Sequence, residues 1–103
     1  MAEKDFYKTL GISETELKSL AERYHVQKVA VFGSFARGEQ TKDSDIDLLV
    51  TWKKTPNLNR FMGFIEDIEQ KTGRHVDIAT PDSLHWYLKE KILSDARGIY
   101  EGS

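Results

Sequence analysis

The chain has 103 residues, 15 Lys and Arg against 17 Asp and Glu, and no Cys. That length suits a single domain over 1–103 with one modest core; the missing cysteines exclude disulfides and thiolate zinc sites. A net charge of −2 argues against a nucleic-acid-binding protein, no apolar run approaches the roughly 20 residues of a membrane span, and the start Met1-Ala2-Glu3-Lys4-Asp5 lacks a secretory signal pattern, so a cytoplasmic location is expected.

The first dozen residues read as an arm or a short turn. Ser13 and Glu16 have capping-box spacing, and Leu17, Leu20, Ala21 and Tyr24 recur at helical intervals, which predicts a helix over about 14–24. Val29-Ala30-Val31-Phe32 reads as the end of a buried strand, about 27–32. Ser34 to Arg37 has room for one helical turn before Gly38, which suits a left-handed cap. A second strand spans about Asp45 to Trp52, and Lys53-Lys54-Thr55-Pro56-Asn57 is a loop.

A long amphipathic helix follows, with Leu58, Phe61, Met62, Ile65 and Ile68 expected on its core face. Gly73 stands where a C-terminal cap is expected, after Lys71 in the last turn. His75 to Ala79 is a short third strand. Thr80-Pro81 reads as an N-cap with proline at the first helical position, and Leu84, Leu88 and Ile92 mark a last helix. Ile99-Tyr100 adds a short final strand or simply packs. The fold class is therefore α/β: a small mixed sheet with helices mainly on one face.

The connections restrict the topology. Only 12 residues separate the first two strands, about the lower limit for a parallel crossover. An antiparallel pair is easier, and it brings Ser34 beside Asp45. The long helix can return the chain for a parallel third strand, which places Asp77 near the same edge.

Chemistry concentrates at that edge. Residues two apart on a strand share a face, so Asp45 and Asp47 project side by side. Adjacent carboxylates repel unless a cation intervenes, and hard oxygen ligands suit Mg2+ or Mn2+. Gly33 lets the backbone approach a phosphate, and Ser34 offers its hydroxyl with backbone N–H groups at a helix start. A nucleoside triphosphate arrives with a metal and needs positioning and charge neutralisation. Nucleotidyl transfer is the leading expectation.

The residues 33–50, Gly33-Ser34-Phe35-Ala36-Arg37-Gly38-Glu39 through Ser44-Asp45-Ile46-Asp47-Leu48-Leu49-Val50, resemble the minimal nucleotidyltransferases (MNT domains) of the DNA polymerase beta-like superfamily. A lone Asp-x-Asp is a weak signal; with Gly-Ser at this spacing it is specific. The resemblance implies a polymerase beta-like nucleotidyltransferase fold and transfer of AMP from ATP to a hydroxyl. It implies that Asp45, Asp47 and Asp77 are catalytic and hold the metal, and that Gly33 and Ser34 receive the phosphates. Asp77 would complete the metal site or help deprotonate the attacking hydroxyl.

Small stand-alone members resemble the antitoxin of HEPN/MNT toxin–antitoxin pairs. That implies an RNA-cleaving HEPN toxin as partner, modified on a tyrosine. Two other functions stay open: an antitoxin that neutralises by binding alone, and a small-molecule nucleotidyltransferase of the aminoglycoside type.

Arg37 admits three readings: a grip on a triphosphate oxygen, a contact to an acidic group of a partner, or an exposed helical arginine. Lys42 has a weaker claim of the same kind. His75 reads as a surface histidine, although it shares the face of Asp77. Trp52 and Trp86 read as partly buried packing elements rather than adenine-stacking rings. Glu66, Asp67 and Glu69 read as a wet acidic helix face.

Overall fold

The computed structural model describes residues 3–102. The chain runs α1 (Glu3–Leu10), α2 (Glu14–Arg23), β1 (Val26–Phe32), α3 (Ser34–Arg37), β2 (Ile46–Trp52), α4 (Leu58–Thr72), β3 (Val76–Ala79), a 3-10 turn (Pro81–Ser83), α5 (Trp86–Asp95) and β4 (Arg97–Glu101). The strands form one mixed sheet in the order β3-β2-β1-β4. β1 is antiparallel to both β2 and β4, and β2 is parallel to β3. Among the described residues no helix is long and apolar enough to cross a membrane.

The local signals act as the residue types dictate. At the start of α2, Ser13 Oγ accepts the Glu16 N–H and the Glu16 carboxylate accepts the Ser13 N–H, both at 3.0 Å. These bonds satisfy amides that have no partner inside the helix. Asn57 caps α4 by accepting the Arg60 N–H at 2.8 Å, and Gly73 closes it with φ +71°. Gly73 can take that left-handed conformation because it has no Cβ.

Three expectations need correction. The expected N-terminal arm is helix α1, with Tyr7 and Leu10 buried. These two residues are three apart and so share a helix face; the Tyr7 hydroxyl donates to the Ile99 carbonyl. A helix of 8 residues is too short for its periodicity to stand out.

The core face of α4 is also shifted. Phe64 and Ile68 are its buried residues, whereas Leu58 and Met62 are 74% and 41% exposed. Phe64 makes edge contacts with both Tyr24 (ring centroids 5.9 Å apart) and Trp52 (5.5 Å). Gly63 lets α2 come close: a Cβ there would lie 2.9 Å from Tyr24 Cε1. A large aromatic ring seated between two others sets the rotation of the helix, and Met62 turns outward.

Trp86 is the third. It is 85% exposed at the start of α5, and α5 buries none of its residues. Trp52 does pack as expected, half-buried against Phe61 and Phe64.

The main core lies on one face of the sheet. Val29 and Val31 of β1, Ile46, Leu48 and Val50 of β2, and Val76 of β3 meet Leu10, Leu17, Leu20, Ala21, Phe64 and Ile68 there. Ala30 and Leu49 have the opposite parity but are also buried. Strand alternation therefore puts Asp47 and Leu49 on the face away from the main core.

Candidate active site

Gly33 ends β1 with φ +72° and ψ −148°, a region that side chains essentially exclude, and opens α3. The Arg37 N–H donates to the Gly33 carbonyl at 3.2 Å, and Gly38 closes this single turn in the left-handed conformation. The turn faces the start of β2, because Phe32 is paired with Asp47 across the antiparallel ladder. A Cβ at Gly33 would lie 2.3 Å from Asp47 Oδ2. Glycine is thus required here by its backbone angles, and a side chain would also have to push the Asp47 carboxylate aside.

The parallel β2–β3 ladder sets Asp47 directly opposite Asp77. Residues in register on neighbouring strands point to one face, so the two carboxylates share the side away from the main core. Asp45 precedes Asp47 by two residues and joins them. Asp45, His75 and Asp77 each offer a ligand atom within 4.8 Å of the others, and all three residues are exposed. His75 Nδ1 lies 3.6 Å from Asp77 Oδ1 and 4.0 Å from Glu69 Oε2.

The electrostatics register this crowding. Burial first, then the charges of Asp77 and Asp45, raise the Asp47 carboxyl above its ordinary value, while Arg37 partly offsets them. A divalent cation would relieve the same repulsion. Two carboxylates with one imidazole make a donor set suited to a divalent cation.

Of the residues expected to hold a metal, Asp45 and Asp77 fall in one close group with His75, whereas Asp47, opposite Asp77 on the ladder, lies outside that group. His75, expected at the surface, does stay exposed, yet it stands in the acidic group beside Asp45 and Asp77. The period-2 spacing to Asp77 already contained that signal. Arg37 lies near enough to Asp47 to affect its ionisation, but its guanidinium is engaged by Glu39 at 2.9 Å and by Asp95 of α5 at 3.0 Å. The carboxylate partners explain why its own pKa is raised.

Three supporting residues had no signal of this kind. Glu69, read as part of a wet helix face, accepts the Val76 N–H at 3.0 Å through Oε2 and so anchors the start of β3. Its neighbour Asp67 accepts the Tyr24 hydroxyl at 2.6 Å. Arg74 donates to carbonyls of the loop before Asp45. Such bonds join segments distant in sequence and leave no periodic trace.

A glycine–serine turn against clustered carboxylates, on a four-stranded mixed sheet, is the architecture that the sequence resemblance implied. The chain belongs to the nucleotidyltransferase domain family, whose model matches residues 14–99, and its fold is that of the minimal, polymerase beta-like nucleotidyltransferases. It is 41% identical over 81 residues to a candidate protein adenylyltransferase of Methanocaldococcus jannaschii, covering 76% of this chain and 81% of that one. It is 37% identical over 78 residues to the protein adenylyltransferase MntA of Thermococcus cleftensis, covering 76% and 79%.

Solved structures agree on the fold. A candidate minimal nucleotidyltransferase superposes with a TM-score of 0.73 at 32% identity, over 94% of this chain and 95% of that one. An MNT antitoxin complexed with a tri-AMPylated HEPN toxin of Shewanella oneidensis superposes at 0.62 with 16% identity, over 86% and 70%.

Proposed function

We propose that this nucleotidyltransferase transfers AMP from ATP to a hydroxyl of a partner protein, a tyrosine of an HEPN-type toxin, with pyrophosphate leaving, and thereby acts as the antitoxin in the cytoplasm. The observation that carries this reading is the convergence of Asp47 and Asp77 in register, with Asp45 beside them, against the Gly33-Ser34 turn. Curated relatives named as protein adenylyltransferases support the protein acceptor. The Shewanella complex, in which an MNT antitoxin accompanies an AMPylated HEPN toxin, supports the partner.

Each residue has a part in this reading. Gly33 allows close approach of the triphosphate, and Ser34 donates its hydroxyl to it at the opening of α3. Asp45, Asp47 and Asp77 would hold Mg2+ or Mn2+, which supplies neutralisation of the triphosphate charge. Asp77, on the strand beside Asp47, also draws the proton from the attacking hydroxyl. Arg37 steadies the turn by pairing with Glu39 through Nε and with Asp95 through Nη1, and a phosphate oxygen would be met by the remaining donors of its guanidinium.

Mass spectrometry of the HEPN partner after incubation with ATP and Mg2+ tests this. Additions of AMP that vanish with Asp45→Asn/Asp47→Asn protein are expected. A second reading, neutralisation by binding alone, draws on α5. Trp86, Tyr87, Leu88 and Leu93 are 85%, 62%, 40% and 44% exposed there, and a surface of this kind suits protein contact. Full neutralisation by the double mutant, with no mass gain from the wild type, would select it.

A further inference from the structure

Arg74 sits between α4 and β3, directly before His75. Its Nη1 donates to three carbonyls of one loop: Thr41 at 3.0 Å, Lys42 at 3.3 Å and Ser44 at 2.9 Å. That loop carries the chain from the α3 turn into β2. The same guanidinium lies 5.0 Å from the centroid of the Phe35 ring. Phe35 follows Ser34 and is only 2% exposed, so the ring is a fixed platform.

This arrangement has a clear physical reason. Three carbonyl oxygens aimed at one point repel each other unless a charged donor stands between them. A planar guanidinium can donate in its plane while its face stacks on an aromatic ring. The loop has further bonds of its own, from the Thr41 N–H to Ser44 Oγ at 2.8 Å and from the Ser44 N–H to the Thr41 carbonyl at 3.1 Å. Those bonds shape the loop but do not attach it to β3.

The attachment matters because of what lies on either side. Ser44 is bonded to Asp45, and Arg74 precedes Asp77 by three residues. The Ile46 N–H donates to the His75 carbonyl at 2.9 Å, the backbone bond nearest this edge of the β2–β3 ladder. Asp45 itself lies before the first strand residue, Ile46. Its distance from Asp77 therefore depends on the loop, and Arg74 holds the loop.

We propose that Arg74 is a positioning residue that fixes Asp45 against Asp77 and so sets the divalent-cation affinity of the cluster. This rests on reading the carboxylates as a cation site. The side chain orients groups that hold the cation without touching it; loss of such support weakens metal sites by about 10–100-fold.

The test uses the full chain and Mn2+ alone. Electron paramagnetic resonance of free Mn2+ reads the affinity of wild type, Arg74→Met and Arg74→Lys, with thermal unfolding measured alongside. Arg74→Met should weaken Mn2+ binding by about 10–100-fold. Arg74→Lys should fail to restore it, because lysine has no planar cationic group to stack on Phe35 while it donates to the loop. A lowered unfolding temperature with wild-type Mn2+ affinity in Arg74→Met would overturn the proposal and leave Arg74 merely structural. If Arg74→Met does not fold, Arg74→Lys decides by the same criterion. Wild-type protein that binds no Mn2+ removes the cation-site reading and this proposal with it; equal affinity in wild type and variants removes this proposal alone.

Discussion

Gly33 stands against Asp47 so that any side chain in its place would have to displace the Asp47 carboxylate. A methyl group in place of its hydrogen would stand 2.3 Å from Asp47 Oδ2, and its φ of +72° with ψ of −148° already excludes side chains. Gly33→Ala should therefore cost about 2–5 kcal/mol, combining backbone strain with a steric clash. Urea unfolding measures it. Adding Asp47→Ala removes the clash but not the strain, so the double variant should be more stable than Gly33→Ala alone. Equal stability of the two would mean that the contact with Asp47 is unimportant.

Asp47 should also leave a mark on the pH dependence of stability. Burial, with Asp77 and then Asp45, raises its carboxyl in the folded state above the ordinary value. The folded protein then holds this proton more tightly than the unfolded chain does. In metal-free protein its contribution falls as pH rises from the ordinary Asp value through the raised one, and the penalty is complete above that. Asp47→Asn should flatten this slope and raise the unfolding temperature at neutral pH. Thermal unfolding in a chelator-treated pH series checks it; an unchanged slope would contradict the assigned cause.

Asp77 separates binding from chemistry. Asp77→Asn should retain ATP binding, because the Gly33-Ser34 turn is untouched, and should slow transfer by at least about 100-fold if Asp77 draws the proton. Nucleotide binding by calorimetry and AMP transfer by mass spectrometry test the two halves. Undiminished transfer would make Asp77 a structural strand residue.

The two aromatic residues Phe64 and Trp86 should differ sharply. Phe64 has no exposed surface and lies between Tyr24 and Trp52, so Phe64→Ala should cost about 3–5 kcal/mol. Trp86 is 85% exposed, so Trp86→Ala should change stability by no more than about 0.5 kcal/mol. Chemical denaturation of both variants checks the contrast. A large loss in Trp86→Ala would mean that α5 is held far more firmly than its exposure indicates.

Much of the architecture was legible because its signals are local. The Ser13–Glu16 cap, the Gly73 cap, the apolar strand runs and the pairing sense of the strands all follow from spacing and connection length. Helix α1 (Glu3–Leu10) leaves little trace in the sequence, because one short face carries too little periodicity. The rotation of α4 was misjudged because Phe64 outweighs Met62 only when Tyr24 and Trp52 are in place around it.

Reading the residues alone already shows a Gly-Ser turn, an Asp-x-Asp pair and Asp77, and strand alternation gives alternate residues a common face. The folded chain sets Asp47 opposite Asp77, gathers His75 with Asp45 and Asp77, and pairs Arg37 with Glu39 and Asp95. It alone revealed Arg74 spanning three carbonyls of a distant loop. The division has one physical origin: periodicity and caps act over a few neighbouring residues, whereas register and ion pairing depend on segments that meet only after the sheet has formed.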